Sequence, residues 1–449
     1  MLNVKNKKIL VAGGGRSGKA VAFFLRNKGA VVAVSDKRKI IPPRGVKFIN
    51  EEKVEGLLND FDMLVLSPGV SPGLRFVKAA KKMKLMVAGE FEFSYGFIPR
   101  GVKKILITGT NGKSTVTALI HKILTGSGVN AVLGGNIGTP LSELLKNLSG
   151  QETLVIETSS FNLERHTGKE NFAADVRVLL NITPDHLSRY KNFRDYARIK
   201  KSIFNGIRDS DTGIAGYGCK IRKSNAAGLR GVRPERIFTI GGDLRFKGAR
   251  IVLSPNFKKR FPYADEVCVQ PSKMKLIFEA NRENILASFA AAIHFKVPPR
   301  AFLEALYKFK PLAHRMEYAG TSHGRTFIND SKSTNVSSVE FALKNTRRPH
   351  VLIMGGRDKG SPYTILGKYL KNTRVIIAYG ESGKKIKCEL SEFKRVKTVE
   401  RFSEACELAL SESAEGDVIL LSPGCASYDQ FANFEERGSA FKKWVRKLT

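Results

Sequence analysis

The sequence predicts an α/β protein of three units, each built on a mostly parallel sheet. Three observations predict it. β-branched runs stop at glycine-rich turns and then open helical patterns, first over residues 7–28 and again over 104–115. Beyond Lys308-Phe-Lys-Pro311, strands and helical stretches keep alternating. With 449 residues, the chain is too long for one compact core. The predicted units are 1–98, 99–309 and 310–449.

The first unit opens with the strand Lys7–Ala12, then Gly13-Gly14-Gly15-Arg16-Ser17-Gly18, a helix over Lys19–Lys28 and a strand from Ala30 to Ser35 that ends at Asp36. Gly13, Gly15 and Gly18 have the spacing of a dinucleotide fingerprint, with an acid about 20 residues on. Such a motif specifies a helix N-terminus facing a diphosphate, so an NAD or a UDP-sugar pyrophosphate fits equally well. A further strand, Met63–Leu66, runs into the turn Ser67-Pro68-Gly69. These features define a Rossmann-like unit.

The second unit starts with Lys104-Ile-Leu-Ile-Thr108-Gly109-Thr110-Asn111-Gly112-Lys113-Ser114-Thr115. A strand, a glycine turn and Lys-Ser-Thr at a helix start are the context of a phosphate-binding P-loop, although Ile107 stands where the general pattern has its first glycine. Backbone N–H groups from Gly109 to Gly112 can hold polyphosphate oxygens, Lys113 can bridge the terminal phosphates, and Ser114 or Thr115 can offer a hydroxyl to Mg²⁺. Leu154–Ile156 places Glu157 at a strand end, and Val176–Leu180 leads into Asn181-Ile-Thr-Pro-Asp185-His186. Asp195 to Phe204 has a helical pattern that contains Lys200 and Lys201, and a helix is predicted to begin at Asn284. The order of strands between about 210 and 280 is not legible in the pattern. The unit reads as P-loop ATPase-like with a mostly parallel sheet.

The third unit, again Rossmann-like, shows strands Thr326–Ile328, Val351–Ile353, Val375–Ala378 and Val418–Leu421. Three of them end in polar turns, at 329–335, 355–360 and 422–427, and open parallel sheets bind ligands off these carboxyl edges.

Composition narrows the class. There is no apolar run of about 18 residues and no leader-like block, so neither membrane insertion nor export is expected and the cytoplasm is the expected compartment. Cys219, Cys268, Cys388, Cys406 and Cys425 show no paired spacing, so neither a zinc site nor a disulfide framework is indicated. The net charge of +35, from 76 Lys+Arg against 41 Asp+Glu, attracts polyanions without selecting among them. Its spread along the chain gives no motif for reading bases, so no specific nucleic-acid partner is expected.

Five segments occur in order: Gly-Thr-Asn-Gly-Lys-Ser-Thr at 109–115, Asn-Ile-Thr-Pro-Asp-His-Leu at 181–187, His-Arg-Met-Glu at 314–317, Asn-Asp-Ser-Lys-Ser-Thr-Asn at 329–335 and Leu-Ser-Pro-Gly-Cys-Ala-Ser at 421–427. On these residues the chain resembles the Mur ligases. Gly134-Gly-Asn136-Ile-Gly138 and Ser159–Glu164 resemble the branch that adds D-glutamate to UDP-N-acetylmuramoyl-L-alanine for peptidoglycan synthesis. The resemblance implies an ATP-dependent ligase in which a carboxylate becomes an acyl phosphate and an amine then displaces the phosphate.

It also implies residue roles. Gly109, Thr110, Asn111, Gly112, Lys113, Ser114 and Thr115 would bind ATP, together with Asn284, Arg315 and Asp330. Ser114 and Glu157 would hold one Mg²⁺; His186 and Lys200, the latter as a carbamate formed with CO₂, would hold a second. Lys113, His186 and Lys200 are the implied catalytic residues. Arg16, Ser17, Asp36, Lys37, Gly69 and Asn136 would hold the UDP-sugar, and Lys332, Thr334, Lys359, Ser427 and Phe434 the D-glutamate. A monomer is expected. Ser188 and Glu283 depart from the family pattern, which commonly has aspartate and histidine there. Among rivals, folylpolyglutamate synthetase gives no reason for the first glycine-rich unit, an NAD-dependent oxidoreductase leaves the phosphate loop idle, and a polyanion-binding protein leaves every strand-end motif unexplained.

Overall fold

The structure is a computed structural model and describes residues 3–136, 138–164, 172–185, 189–219, 221 and 231–448. Its first sheet joins β1 (Lys8–Ala12), β2 (Val31–Asp36), β3 (Lys47–Asn50), β4 (Met63–Leu66) and β5 (Met86–Gly89) in the order β3-β2-β1-β4-β5, all parallel. Side chains alternate across this sheet. Ile9, Val11, Val32, Val34 and Val65 enter one core, and Leu10, Ala12, Ala33, Leu64 and Leu66 the other. Burial on both faces is why these strands read as continuous apolar runs, and each buried Leu or Ile contributes about 1.5–3 kcal/mol. The helix Arg16–Asn27 starts three residues earlier than its pattern and buries Gly18, Val21, Ala22 and Leu25. Gly18 is required: a Cβ there would lie 1.8 Å from the Gly13 carbonyl oxygen.

The second sheet joins β6 (Lys103–Thr108), β7 (Ala131–Gly135), β8 (Thr153–Glu157), β9 (Val176–Leu179), β10 (Thr212–Ala215) and β11 (Ile237–Thr239) in the order β11-β10-β9-β6-β8-β7, again parallel. The stretch without a legible pattern holds a small antiparallel sheet of β12 (Leu244–Lys247), β13 (Arg250–Leu253) and β14 (Val267–Cys268). The helix predicted to start at Asn284 runs from Phe278 to His294, because 278–283 contain no breaker. Asn284 is therefore an interior helical residue.

The last sheet has the order β15-β16-β20-β17-β18-β19, from β15 (Glu317–Ser322), β16 (Arg325–Asn329), β17 (His350–Gly355), β18 (Thr373–Tyr379), β19 (Val396–Val399) and β20 (Val418–Gly424). Only β15 runs antiparallel, as an edge hairpin with β16. β20 continues through Ser422-Pro423-Gly424, where the sequence reading places a turn. The three-part α/β architecture predicted from the sequence is present.

By compactness the chain forms two units. One comprises Met1–Asn181, Ala197–Gln270 and Glu283–Leu306; the other comprises Ile182–Tyr196, Pro271–Arg282 and Tyr307–Thr449. The predicted boundary at 98/99 thus separates two sheets of one compact unit. Phe91 and Tyr95 stack edge-on with Phe172, and the Tyr95 hydroxyl donates to the Ala173 carbonyl at 2.6 Å.

Candidate active site

In the first compact unit, the turn after β1 opens a cavity of about 780 Å³, and Arg16, Ser17, Asp36, Lys37, Gly69 and Asn136 all line it. Gly15 precedes the helix Arg16–Asn27 with no side-chain cap, and a Cβ at Gly15 would meet nothing within 4 Å. The first-turn N–H groups therefore face open space, where an anion is stabilised. Asp36 does more than the fingerprint predicts. Its Oδ2 accepts from the Gly14 N–H at 2.8 Å and its Oδ1 from the Arg38 N–H at 3.0 Å, so it fixes the turn it was expected only to face. Ser67, which the site reading left out, donates to the Gly13 carbonyl at 2.7 Å and ties β4 to the same turn.

Asn136 links this cavity to the phosphate loop. Its Nδ2 donates at 2.9 Å to Oε1 of Glu157, a carboxylate only 1% exposed at the end of β8. Glu157 is level with Ile107 on one side and Gly135 on the other.

The loop itself is held by the chain. The Thr110 N–H donates to the Asn181 carbonyl at 2.9 Å, and the Asn111 N–H donates to Asn181 Oδ1 at 2.8 Å. These two N–H groups set the shape of the loop. Asn181 was quoted in a motif but not recognised as its support. Gly112 has φ +83°, a left-handed conformation that strains any other residue, and a Cβ there would approach Asn284 Oδ1 to 2.5 Å. That contact places Asn284 beside the loop. Lys113 Nζ folds back onto the carbonyls of Gly109 at 2.9 Å and Thr110 at 2.8 Å.

Lys200 is 2% exposed, whereas its neighbour Lys201 is half-buried. From the helix Phe193–Lys201 its Nζ donates to the Gly109 carbonyl at 2.8 Å. Two lysines thus converge on one carbonyl of the phosphate loop.

The donor set suits a hard cation. The Ser114 and Thr115 hydroxyls and the Glu157 carboxylate lie buried at one sheet edge, and Mg²⁺ takes oxygen ligands. Among the described residues no three His, Cys, Asp or Glu side chains cluster as a cage. His186 and Ser188 lie outside the described residues.

Glu283 sits next to Asn284, and burial pushes its carboxyl up to about 7. The folded chain then holds that proton more tightly than the unfolded chain. Its stabilising share is complete below about pH 4.5 and is lost as pH rises through 7. Glu283→Gln is expected to raise stability at pH 8 by about 1–2 kcal/mol, after allowance for partial exposure, and to change it little at pH 4.5. Urea unfolding of both proteins at the two pH values measures this.

In the second compact unit, the three polar turns are interlocked. The Gly424 N–H donates to the Ser333 carbonyl at 2.8 Å, and Arg357 and Ala426 exchange N–H···O bonds of 2.8 and 3.0 Å. Lys332 Nζ lies 3.8 Å from the ring centroid of Phe434. Lys359 Nζ donates to Thr334 Oγ1 at 3.3 Å and stands 3.7 Å from Asp185. Ser427 is buried at the start of the next turn. Lys332 with Phe434 and Lys359 with Thr334 therefore form two cationic pairs on neighbouring turns.

Asp330, expected among the ATP-binding residues, is held by the strand ends of its own sheet. Its carboxylate is buried, accepts from Met316 N–H at 3.1 Å, Ser422 Oγ at 3.0 Å and Ser333 Oγ, and burial pushes it up to about 6. It binds the strand ends together, with half-buried Arg315 as its nearby charge. Arg437 was missed altogether. It is fully buried and donates to Ser331, to the carbonyls of Gly355 and Cys425, and to the Tyr379 hydroxyl. The available signal was its i, i+4, i+8 alignment with Phe441 and Val445, which puts an arginine on the helix's buried stripe.

A parallel α/β chain with a phosphate loop, a buried carboxylate beside it and a diphosphate-type cavity belongs to the phosphate-loop nucleotide-binding class. Comparison with known proteins gives the particular family. A Mur ligase middle-domain profile matches residues 107–292, a Mur ligase glutamate-ligase-domain profile 314–425, and a MurD-like N-terminal-domain profile 7–89. The UDP-N-acetylmuramoylalanine–D-glutamate ligase of Koribacter versatilis is 35% identical over 457 residues, covering 100% of this chain and 99% of that protein. The protein of the same name from Pelotomaculum thermopropionicum is 35% identical, with 98% of each chain covered. The solved UDP-N-acetylmuramate-alanine ligase of Thermotoga maritima shares the fold at a TM-score of 0.62 and 18% identity, covering 99% of this chain and 100% of that one. The chain belongs to the Mur ligase family.

Proposed function

We propose that this chain is the ATP-dependent ligase that joins D-glutamate to UDP-N-acetylmuramoyl-L-alanine, working as a cytoplasmic monomer in peptidoglycan precursor synthesis. The observation that carries this reading is end-to-end identity of 35% with relatives that bear that activity's name. The site chemistry supports it. Arg16, Ser17 and Lys37 give the cavity cations and a hydroxyl for the UDP moiety, with the helix N-terminus for its diphosphate. Gly69 leaves room at the rim, and Asn136 orients the far end of the substrate from its bond to Glu157.

A carboxylate is a poor acyl donor. Its oxygen attacks the γ-phosphorus, ADP leaves, and the resulting anhydride carries phosphate as its leaving group. The amine nitrogen then attacks the acyl carbon, phosphate departs and the nitrogen loses a proton. Lys113, released from the Gly109 and Thr110 carbonyls, neutralises the charge that builds between the β- and γ-phosphates. Ser114 and Glu157 are the proposed holders of Mg²⁺, which supplies further neutralisation. A carbamate on Lys200, with His186, is the proposed holder of a second ion; forming it requires the amine neutral, which burial favours. Asn284 beside the loop is the proposed adenine contact. The assignment of Arg315 and Asp330 to ATP rests on the family resemblance.

Lys332, Thr334, Lys359, Ser427 and Phe434 are the proposed D-glutamate pocket, two cations for two carboxylates. Lys359→Ala is expected to raise the D-glutamate KM by about tenfold or more while the ATP KM stays within twofold, because a lost charged contact weakens ground-state binding of that substrate alone. Titration of D-glutamate, L-glutamate and D-aspartate against both proteins measures this. An unchanged D-glutamate KM would remove the pocket assignment.

A further inference from the structure

The loop that carries Lys359 is closed at both ends by a ring of polar contacts which the proposed chemistry does not use. Asp358 stands just before Lys359, and Tyr363 four residues after it. The fully buried Tyr363 phenol donates to Asp358 Oδ1 at 2.9 Å, and Lys385 Nζ donates to Asp358 Oδ2 at 2.7 Å. Lys385 stands 3.8 Å from Glu389, whose Oε2 accepts from the Tyr363 backbone N–H at 2.5 Å. Lys385 and Glu389 both belong to the helix Gly383–Leu390, so one rigid element grips both ends of a six-residue loop.

Left to itself the loop would be loose. Gly360, at φ +82°, has nothing within 4 Å of where a Cβ would sit. Among the described residues the Lys359 ammonium makes longer contacts, 3.3 Å to Thr334 and 3.7 Å to Asp185, of the kind an incoming carboxylate can replace. The bracing contacts at 2.5–2.9 Å are shorter than those at the cation they flank.

Taking the pocket as that of D-glutamate, we propose that the Tyr363–Asp358–Lys385–Glu389 ring is a positioning device that sets the reach of the Lys359 ammonium and thereby selects amino acids by side-chain length. None of the four touches substrate; each acts through Lys359. A lysine point charge accepts a carboxylate from many directions, so discrimination between glutamate and the shorter aspartate requires the charge to be held at a fixed distance.

The test uses the full-length protein with saturating ATP and UDP-N-acetylmuramoyl-L-alanine, and varies D-glutamate or D-aspartate. Tyr363→Phe keeps the buried ring and deletes the phenol; Lys385→Met deletes the half-exposed cation of the ring; Lys385→Arg keeps it. In the first two, the D-glutamate KM is expected to rise about five- to tenfold, with kcat and the ATP KM within twofold. The preference for D-glutamate over D-aspartate should shrink, and Lys385→Arg should recover most of both. Melting temperature is recorded alongside, because a purely structural role would lower it and leave KM and the preference unmoved. A D-glutamate KM within twofold of wild type in both Tyr363→Phe and Lys385→Met would overturn the proposal and leave the function intact. A wild-type protein that ligates no D-glutamate would overturn the functional reading beneath it.

Discussion

Lys113→Ala is expected to lower ligation turnover by about a thousandfold or more, equivalent to about 4 kcal/mol of transition-state stabilisation, and to leave the fold unchanged. In the ligand-free chain the Lys113 ammonium is bonded to the Gly109 and Thr110 carbonyls. Each of those two bonds is worth about 1 kcal/mol net to the fold. In the reaction the same ammonium faces charge spreading over a phosphoryl group in a site shielded from water, where a fixed cation is worth far more. The two costs separate by measurement. Circular dichroism and the unfolding midpoint should stay close to wild type while phosphate release from ATP falls to background. A variant with more than about a tenth of wild-type turnover would remove Lys113 from phosphoryl transfer.

Lys200→Ala is expected to be inactive and to recover partly in millimolar acetate or another short-chain carboxylate. The structure allows Lys200 two jobs. As an amine it braces the phosphate loop through the Gly109 carbonyl at 2.8 Å; as a carbamate it would supply anionic oxygens to a metal. Acetate tells them apart, since a free carboxylate can fill the vacated space and bind Mg²⁺ but cannot donate to a carbonyl. Recovery with acetate and none with a short alkylamine identifies the anionic role. The reverse pattern identifies the brace and removes the carbamate, and full activity without additive removes both.

Much of this was legible before any coordinates. The strands from Lys8, Met63, Lys103, Thr153, His350 and Val418 are near-continuous apolar runs because their sheets are covered on both faces. The six predicted nucleotide-sugar residues line a single cavity, since glycine spacing and strand ends fix where a parallel sheet presents its turns. What failed to show depends on long-range partners. β7 is short and ends in two glycines, and β19 mixes polar and apolar residues, so their pairing neighbours decide their state. Asn181 looked like one motif residue among several, and only the fold brings its amide to Asn111, 70 residues away. The hydroxyls of Ser333 and Ser422 that donate to Asp330 come from two different strand ends, a pairing that no spacing along the chain announces. Arg437 and the Tyr363 ring are buried polar groups, and spacing along the chain does not announce them.

The most direct test of the central claim is phosphate release from ATP by the purified protein, with UDP-N-acetylmuramoyl-L-alanine and one amino acid at a time. D-glutamate, L-glutamate, D-aspartate and D-lysine form the panel, and the nucleotide product is weighed by mass spectrometry. The account predicts release that requires both the nucleotide substrate and D-glutamate, with one product heavier by a single glutamyl residue. Equal release with the nucleotide substrate omitted, or a clear preference for any other amino acid, would contradict it.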